Sequence, residues 1–264
     1  MYKIVLLFLF FSLNFVVGQG FQSEFRANYR MTYILDSLTR KAKVEDFKLF
    51  FNRNQSYFLS DKSILSDFYE VKGEVLDMKQ LQSKRTLFLD RISYDATKKD
   101  FSVYLNEGKT YYKYKQNAEL IWNITNETKT INNIVCKKAT TAAFGRKWIA
   151  YFSTDYTFPF GPFKINGLPG LIVSVEDDRK TIRFVLDEIE KHHKFIQIPS
   201  NVKAVSKEQY FKLYGNLVFN LSILNHVTFV EDPSFKQKLI NSVMERKRMM
   251  NNFPMDLDMK SIMK

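Results

Sequence analysis

The chain has 264 residues and a formal net charge of +12, from 40 Lys and Arg against 28 Asp and Glu. The basic residues are scattered among acidic ones and accompany no RNA- or DNA-binding signature, so we predict no nucleic-acid partner. Cys136 is the only cysteine, which excludes a disulfide within the chain, and the fold must therefore rest on an apolar core.

The first residues have the pattern of a secretion signal. Lys3 provides a positive start, residues 4–13 are almost entirely apolar, and small residues precede a cleavage site before Gln19. The apolar run is shorter than the roughly 20 residues that a membrane-spanning helix requires. We therefore predict a cleaved signal peptide over residues 1–18, a periplasmic or secreted mature protein, and no stable membrane insertion.

Alternation of apolar and polar residues predicts β-strands through most of the mature chain. At residues 27–38 and 45–59, apolar side chains occupy most of the alternate positions. Residues 61–90 are polar and irregular, and we interpret them as a long connection with one or two helical turns. Short strands then follow one another at hairpin spacing over residues 86–196, which favours antiparallel pairing.

The C-terminal part changes to a helical pattern. Residues 206–217 predict a short helix, and Asp232-Pro233 predicts the start of a second, because Asp caps free amides and Pro fits the first turn. We predict an antiparallel β domain over residues 19–232, followed by an amphipathic helix and a flexible tail over residues 233–264. The expected fold class is mainly β (α+β): a curved antiparallel sheet or incomplete barrel with C-terminal helices.

Two corners rich in glycine and proline distinguish residues 136–172. Their members are Gly161, Pro162, Gly167, Leu168, Pro169 and Gly170. Pro169 fixes φ near about −65°, and we expect Gly170 to take the positive φ of a type II turn. No Lys-Ser or Lys-Thr follows these glycines, so we predict a structural motif and not a phosphate-binding loop.

These residues resemble those of a known family. The hexapeptide Gly-Leu-Pro-Gly-Leu-Ile at residues 167–172 is the hallmark of the GLPGLI family, which comprises secreted or periplasmic proteins of the Bacteroidetes, also described through a Porphyromonas-type domain of unknown function. The resemblance extends to Cys136-Lys137-Lys138-Ala139, to Gly145-Arg146 with Trp148, and to Gly161-Pro162. It implies an extracytoplasmic location, and the family supplies no activity to transfer.

Polar and aromatic residues around the Gly145-Arg146 turn form the candidate binding site. Its members are Lys137, Lys138, Arg146, Trp148 and Asp155. If this turn joins paired strands, we expect Lys138 and Trp148 to lie across from each other. An arginine over an aromatic ring suits a carboxylate or a sugar, and a structural ion pair that holds the corner is the alternative.

We predict no catalytic residue, no cofactor and no metal site. Cys136 has no histidine in a recognisable catalytic context, so we interpret it as an inert buried residue. His192 and His193 are adjacent, and neighbouring side chains on a strand point to opposite faces. Methionines in the last residues suit an apolar tail that docks on the sheet, with soft Cu(I) ligation as the alternative.

The preferred function is a non-enzymatic binding or carrier/chaperone protein of the cell envelope. Its partner would be an envelope or outer-membrane protein, or an apolar small ligand. One alternative is a periplasmic hydrolase with a polar site around Lys138, Arg146 and Asp155, and the other is a structural scaffold for an outer-membrane partner. An open concave face of the sheet would favour the carrier, and a face filled by the chain's own helices would favour the scaffold.

Overall fold

A computed structural model describes residues 19–64, 86–107, 110–117, 119–219, 233–250 and 255–256. The predicted signal peptide and most of the predicted C-terminal tail lie outside these residues. The strands are β1 (Gly20–Gln22), β2 (Phe25–Ile34), β3 (Ala42–Phe51), β4 (Gln55–Ser60), β5 (Arg91–Asp95), β6 (Asp100–Glu107), β7 (Thr110–Asn117), β8 (Asn123–Ile131), β9 (Ile134–Ala143), β10 (Arg146–Ser153), β11 (Leu171–Asp177), β12 (Ile182–Lys191), β13 (Phe195–Gln197) and β14 (Val202–Ala204). The helices are α1 (Lys207–Phe219) and α2 (Pro233–Met249), and residues 61–64 form a helical turn.

Twelve of the described strands form one sheet, in the order β14-β7-β6-β5-β4-β3-β2-β12-β11-β10-β9-β8. Neighbouring strands are antiparallel except β14, which pairs parallel to β7. The sheet is open, because β14 and β8 are its two edges. The predicted mainly β class with helices near the C-terminus is therefore confirmed, and β14 adds a parallel pair that hairpin spacing did not predict. β1 and β13 form a separate two-stranded ribbon.

The inner face of the sheet carries the alternate side chains that the sequence pattern predicted to be buried. On β2, Tyr29 and Met31 are almost completely inaccessible, and Phe47 and Leu49 occupy the same face of β3. These side chains belong to a core cluster that extends across the sheet to Phe184 on β12. The alternation predicts this face correctly because the strand register is strongly specified. A slip of one residue would move all the apolar side chains of a strand to the solvent-exposed face.

The chain's own segments cover the inner face. The long connection between β10 and β11 (residues 154–170) contributes Phe160 and Leu168 to the core cluster, and α1 contributes Tyr210 and Phe211. Because an open concave face was expected for a carrier and a filled one for a scaffold, this filled face favours a scaffold over a carrier that holds its ligand inside the sheet. A smaller apolar cluster on the other face contains Phe21 of β1 and packs against the same strands.

The helix α1 begins with a reciprocal cap. Ser206 Oγ accepts a hydrogen bond from the Gln209 backbone N–H, and the Gln209 side chain accepts one from the Ser206 N–H, at 3.1 Å each. This arrangement is the capping box, which satisfies free amides at a helix start. The predicted helix over residues 206–217 is confirmed within two residues. The predicted start of the second helix at Pro233 also agrees with α2.

The turn between β9 and β10 lies one residue earlier than the sequence predicted. Phe144 and Gly145 are its central residues, with φ of 56° and 70°, and Arg146 already pairs with Ala143. Two consecutive positive φ values are typical of the tight hairpin turns that match strand twist. Phe144 is an uncommon residue at such an angle, which is why the sequence did not indicate it.

Candidate functional site

The connection between β10 and β11 folds back against the sheet and buries most of its own side chains. Its backbone is fixed by hydrogen bonds from Gly167 N to Pro159 O (2.9 Å), from Leu171 N to Tyr156 O (2.9 Å) and from Ile172 N to Phe160 O (3.0 Å). We refer to residues 154–170 as the plug loop. The plug loop contains the glycines and prolines of the predicted structural motif, which therefore shape the core under the sheet.

The positive backbone angle in this motif lies at Gly167 and not at Gly170, where the type II turn was predicted. Gly167 has φ +86°, whereas Gly170 donates its N–H to Leu168 O at 2.8 Å across a three-residue turn. Gly170 is required for space: a Cβ there would lie 2.1 Å from the Ser153 carbonyl oxygen. Gly161 is similarly enclosed, with a Cβ position 2.6 Å from the Ile165 oxygen.

The five residues of the predicted binding site do not form one cluster. Lys138 pairs with Tyr151 in the β9–β10 ladder, and Trp148 pairs with Thr141. Trp148 and Arg146 are buried on the inner face, while Lys138 and Tyr151 lie on the opposite face of the same two strands. The expected juxtaposition of Lys138 and Trp148 is therefore wrong, because the partner of Lys138 is Tyr151, three residues from Trp148 on β10, and residues an odd number of positions apart on a strand face opposite sides of the sheet.

The outer-face members of that set make surface contacts. Lys138 Nζ forms an ion pair with Glu127 at 2.7 Å, and Tyr151 donates its hydroxyl to the same carboxylate at 3.3 Å. The hydrogen bond with Glu127 raises the pKa of Lys138. Lys137 and Asp155 are both exposed. Solvent-exposed pairs of this kind contribute little to stability.

Arg146 takes part in a buried polar network. Its Nη1 lies 2.8 Å from Asp177 Oδ2 and 3.1 Å from Thr181 Oγ1, and its Nε donates to the Met255 carbonyl oxygen at 3.0 Å. Burial lowers the pKa of Arg146, and Asp177 opposes that change. The structural ion pair that was the alternative to ligand binding is thus present, and its partner is Asp177.

A second buried cation, Lys164, stands at the centre of the plug loop. Lys164 Nζ lies 2.5 Å from Asp256 Oδ2, and both side chains are about as inaccessible as the apolar core, at 1% and 2% exposure. The ammonium also lies over the Phe144 ring at 4.4 Å and the Phe163 ring at 5.0 Å. Burial lowers the pKa of Lys164, and the carboxylate of Asp256 opposes this effect.

Met255 and Asp256 are therefore held in a defined site, which we call the tail anchor and define by Arg146, Lys164 and Lys207. Lys207 Nζ, at the start of α1, lies 3.6 Å from Asp256 Oδ2. The sequence predicted a flexible tail here, but Met255 and Asp256 are both buried. The prediction of a docking apolar tail agrees with the structure at Met255. The other residues of the tail lie outside the described part of the chain.

An open groove with a volume of about 1160 Å³ lies at the rim of the sheet. We call it the rim groove. It is lined by Tyr33, Leu35, Asp36, Thr39, Lys41, Lys43, Val44, Glu45, Lys62, Leu87, Ser242, Glu245, Met249 and Met250. The volume is slightly above the roughly 300–1,000 Å³ of typical small-molecule sites.

The rim groove combines apolar walls with charged groups. Val44 and Met249 are large apolar residues with 56% and 46% of their surface exposed. Lys41 and Lys43 are exposed beside them. The acidic residue Glu45 is buried and accepts hydrogen bonds from Ser60 and Thr86 at 2.5 Å each.

Unlike the exposed Lys41 and Lys43, Glu45 is buried and hydrogen-bonded. Desolvation raises the pKa of this carboxyl, and the hydrogen bonds to Ser60 and Thr86 oppose the increase. A carboxylate whose oxygen is already occupied by two donors is less able to attract a cationic ligand. The groove lining contains the basic residues Lys41, Lys43 and Lys62 and the acidic residues Asp36, Glu45 and Glu245. Lys62 lies 3.8 Å from Glu45, and Asp36 accepts hydrogen bonds from the Leu38 N–H and the Thr39 hydroxyl, so Lys41 and Lys43 are the exposed cations that the groove offers to a ligand.

Within the described residues, no group of three His, Cys, Asp or Glu side chains is placed to hold a metal ion. No described helix is long and apolar enough to cross a membrane. The sequence analysis did not identify Lys164 and Asp256, which form a buried ion pair. Lys164 lies in an apolar sequence, Phe-Lys-Ile, and this is the one local signal that could have indicated it.

No protein-family model matches the chain, and no curated protein sequence matches it either. The fold is similar to a structure of PNGF-II solved in space groups C2 and P21, with a TM-score of 0.52, 13% identity and 73% of this chain covered in each case. The chain spans about a third of the PNGF-II chain, 32% and 33% in the two forms. A LolA-superfamily protein, NE2245 from Nitrosomonas europaea, matches with a TM-score of 0.27 and 7% identity, over 67% of this chain and 88% of that one. The similarity to PNGF-II concerns the fold alone. The TM-score of 0.27 for the LolA-superfamily protein is too low to indicate a shared fold.

Proposed function

We propose that this protein is a non-enzymatic binding protein of the cell envelope, and that it takes an amphiphilic ligand with an anionic head group in the rim groove. The observation that carries the proposal is the groove itself: an open cavity of about 1160 Å³ with apolar walls and exposed lysines. The inner face of the sheet is filled, so the ligand binds at the rim and not inside the sheet. The secretion pattern of residues 1–18 and the resemblance to the GLPGLI family support the envelope location.

The charge and the apolar surface of the groove suit different parts of such a ligand. Val44, Leu87 and Met249 offer an apolar surface for an alkyl chain. Lys41 and Lys43 lie at the exposed side, where a carboxylate or phosphate head stays hydrated while it contacts the ammonium groups. A hydrolase site around Lys138, Arg146 and Asp155 has less support, since Lys138 and Arg146 lie on opposite faces of the sheet.

A direct binding measurement tests this function. We expect delipidated protein to bind a fatty acid or a lysophospholipid with an anionic head, and to bind an alkyltrimethylammonium of equal chain length at least about tenfold more weakly. Val44→Asp should weaken binding at least about tenfold, because it places a charge on the apolar wall. Val135→Asp is the matched control, since Val135 is 60% exposed on β9, away from the groove.

Lys43→Glu supplies the corresponding test of the head-group contact. It should reduce binding of the anionic amphiphile and leave binding of an uncharged one within about twofold. Lys137→Glu, an equal charge reversal at an exposed position of β9, should change neither. A protein that binds none of these amphiphiles, or whose binding is unaffected by Val44→Asp, would refute the proposal.

A scaffold for an envelope partner is the second candidate, and two observations favour it. The inner face is filled, and the edge strand β8 has exposed apolar residues beside it, with Ile121 87% and Val135 60% exposed. An edge strand offers unpaired backbone groups to another chain. In this case Val135→Asp and Ile124→Lys should abolish co-purification with the envelope partner, while Val44→Asp should preserve it.

A further inference from the structure

We propose that the tail anchor is a peptide-recognition site for an apolar residue followed by an aspartate, and that the chain's own Met255-Asp256 occupies it as an internal ligand. The partner is an acidic peptide segment of another protein that competes with this tail. The proposal goes beyond the rim groove and does not depend on it. It rests on which groups contact Met255 and Asp256 and on how those groups are held.

The tail anchor contacts three features of the Met255-Asp256 dipeptide: a backbone carbonyl, a carboxylate and an apolar side chain. Arg146 Nε donates to the backbone carbonyl of Met255 at 3.0 Å. Lys164 Nζ contacts the Asp256 carboxylate at 2.5 Å, and Lys207 Nζ contacts the same oxygen from 3.6 Å. The Met255 side chain is buried in the core cluster, with 5% of its surface exposed. A backbone contact, a charged contact and an apolar pocket are together the means by which proteins recognise peptides.

The cations are positioned by groups that do not belong to the tail. Asp177 and Thr181 hold Nη1 of Arg146, which leaves the direction of Nε fixed toward the tail. Lys164 is held over Phe144 and Phe163 by cation–π contacts, and it also reaches the Gln116 side chain at 3.4 Å. The three anchor residues come from β10, the plug loop and α1. The recognising groups are thus preorganised, which lowers the entropy cost of binding a peptide.

Met255 and Asp256 have the position of a ligand in this arrangement. They lie outside the described helices and strands, and 92 residues separate Asp256 from Lys164. Because the tail is tethered, its effective concentration at the anchor is on the order of millimolar, and a free peptide competes poorly with it. Weakening the internal ligand should therefore increase the affinity for an external one.

The test uses the full chain and a labelled peptide with the sequence of residues 251–264, which contains Asp256 and Asp258. We expect Asp256→Asn in the full chain to increase its affinity for this peptide at least about tenfold over the wild-type chain. Asp256→Asn in the peptide should reduce binding to that variant at least about tenfold. Asp258→Asn in the peptide keeps the same net charge and should change binding less than about twofold.

In the peptide-binding measurements, two outcomes would overturn the proposal: equal loss of binding for the two altered peptides, or no gain of affinity by a folded Asp256→Asn chain. If that chain does not fold, Lys207→Ala replaces it, because Lys207 is only partly buried. This variant should accelerate hydrogen exchange at the Asp256 amide, and unchanged exchange would contradict the assignment. A wild-type dimer that disappears in Asp256→Asn would also overturn it, in favour of tail exchange between two copies.

Discussion

At the scale of single residues, the glycines of the plug loop meet two different requirements. Gly170 leaves no room for a side chain, because its Cβ would lie 2.1 Å from the Ser153 oxygen. Gly167 has open space, with the nearest atom at 3.9 Å, but its φ is +86°. The hexapeptide at residues 167–172 therefore combines a spatial constraint at Gly170 with a conformational one at Gly167.

These requirements predict different stabilities for two alanine variants. Gly170→Ala should lower the free energy of unfolding by about 2–3 kcal/mol, since the backbone of Ser153 has to move. Gly167→Ala should cost only about 1 kcal/mol, the strain of a positive φ at a residue with a Cβ. Urea denaturation of both variants and the wild type measures the difference. An equal or larger loss for Gly167→Ala would show that close approach does not govern this corner.

At the scale of elements, hydroxyl groups of α1 attach the helix to the segment before β5. Tyr210 donates to Asp90 at 2.6 Å, and Tyr214 donates to the Leu87 carbonyl at 2.6 Å while accepting from the Leu89 N–H at 3.3 Å. Burial of both tyrosines raises their pKa well above the ordinary value. The helix is thus fixed by directional bonds as well as by apolar packing.

Tyr214→Phe tests this attachment. The substitution removes the hydrogen-bond partner of the Leu87 carbonyl and of the Leu89 N–H, which are both partly buried. We therefore expect the free energy of unfolding to fall by about 1–2 kcal/mol. Hydrogen exchange at the Leu89 amide should accelerate. Tyr151→Phe is the matched control, because its hydroxyl contacts only the exposed Glu127 side chain at 3.3 Å, and its cost should stay below about 0.5 kcal/mol. Equal costs for the two variants would contradict the role assigned to Tyr214.

The elements also show how far the sequence determines the fold. Alternation predicted the buried faces of β2 and β3, and capping residues predicted α1 and the start of α2, because these signals are local. The hairpin turn at Phe144-Gly145 was misplaced by one residue, since nothing local indicates a positive φ at Phe144. The predicted cluster around Lys138 and Trp148 fails for a separate reason: Lys138 pairs with Tyr151, and Trp148, three residues away on the same strand, faces the other side of the sheet. The Lys164–Asp256 pair was missed because long-range ion pairs leave no periodic pattern.

At the scale of the whole molecule, buried carboxyls make stability depend on pH. Desolvation raises the pKa of Asp90 from 3.8 to about 6, although its hydrogen bond from Tyr210 opposes the change. Glu45 is raised in the same direction. A carboxyl with a higher pKa in the folded state binds protons more readily when folded. Its contribution to stability is therefore greatest below the unfolded pKa and is lost as the pH rises through the folded pKa.

Asp90→Asn isolates this contribution. The asparagine can still accept the Tyr210 hydroxyl and carries no charge, so the variant should gain stability relative to the wild type as the pH rises from about 4 to about 6. The rise in the pKa of Asp90 from 3.8 to about 6 corresponds to about 2–3 kcal/mol of folding free energy, which the wild type loses in full once the pH is above the folded pKa. Urea denaturation at a series of pH values measures it. A stability difference that does not change over that interval would contradict the raised pKa of Asp90.

The burial of Cys136 determines when its thiol can react. The thiol is 1% exposed in β9, and desolvation raises its pKa to about 11. Since the thiolate is the reactive species, the folded chain is protected from mixed disulfides and from covalent dimers. The unfolded chain has no such protection. The pairing of β9 with β10 during folding therefore withdraws the thiol from reactions that would link two molecules through sulfur.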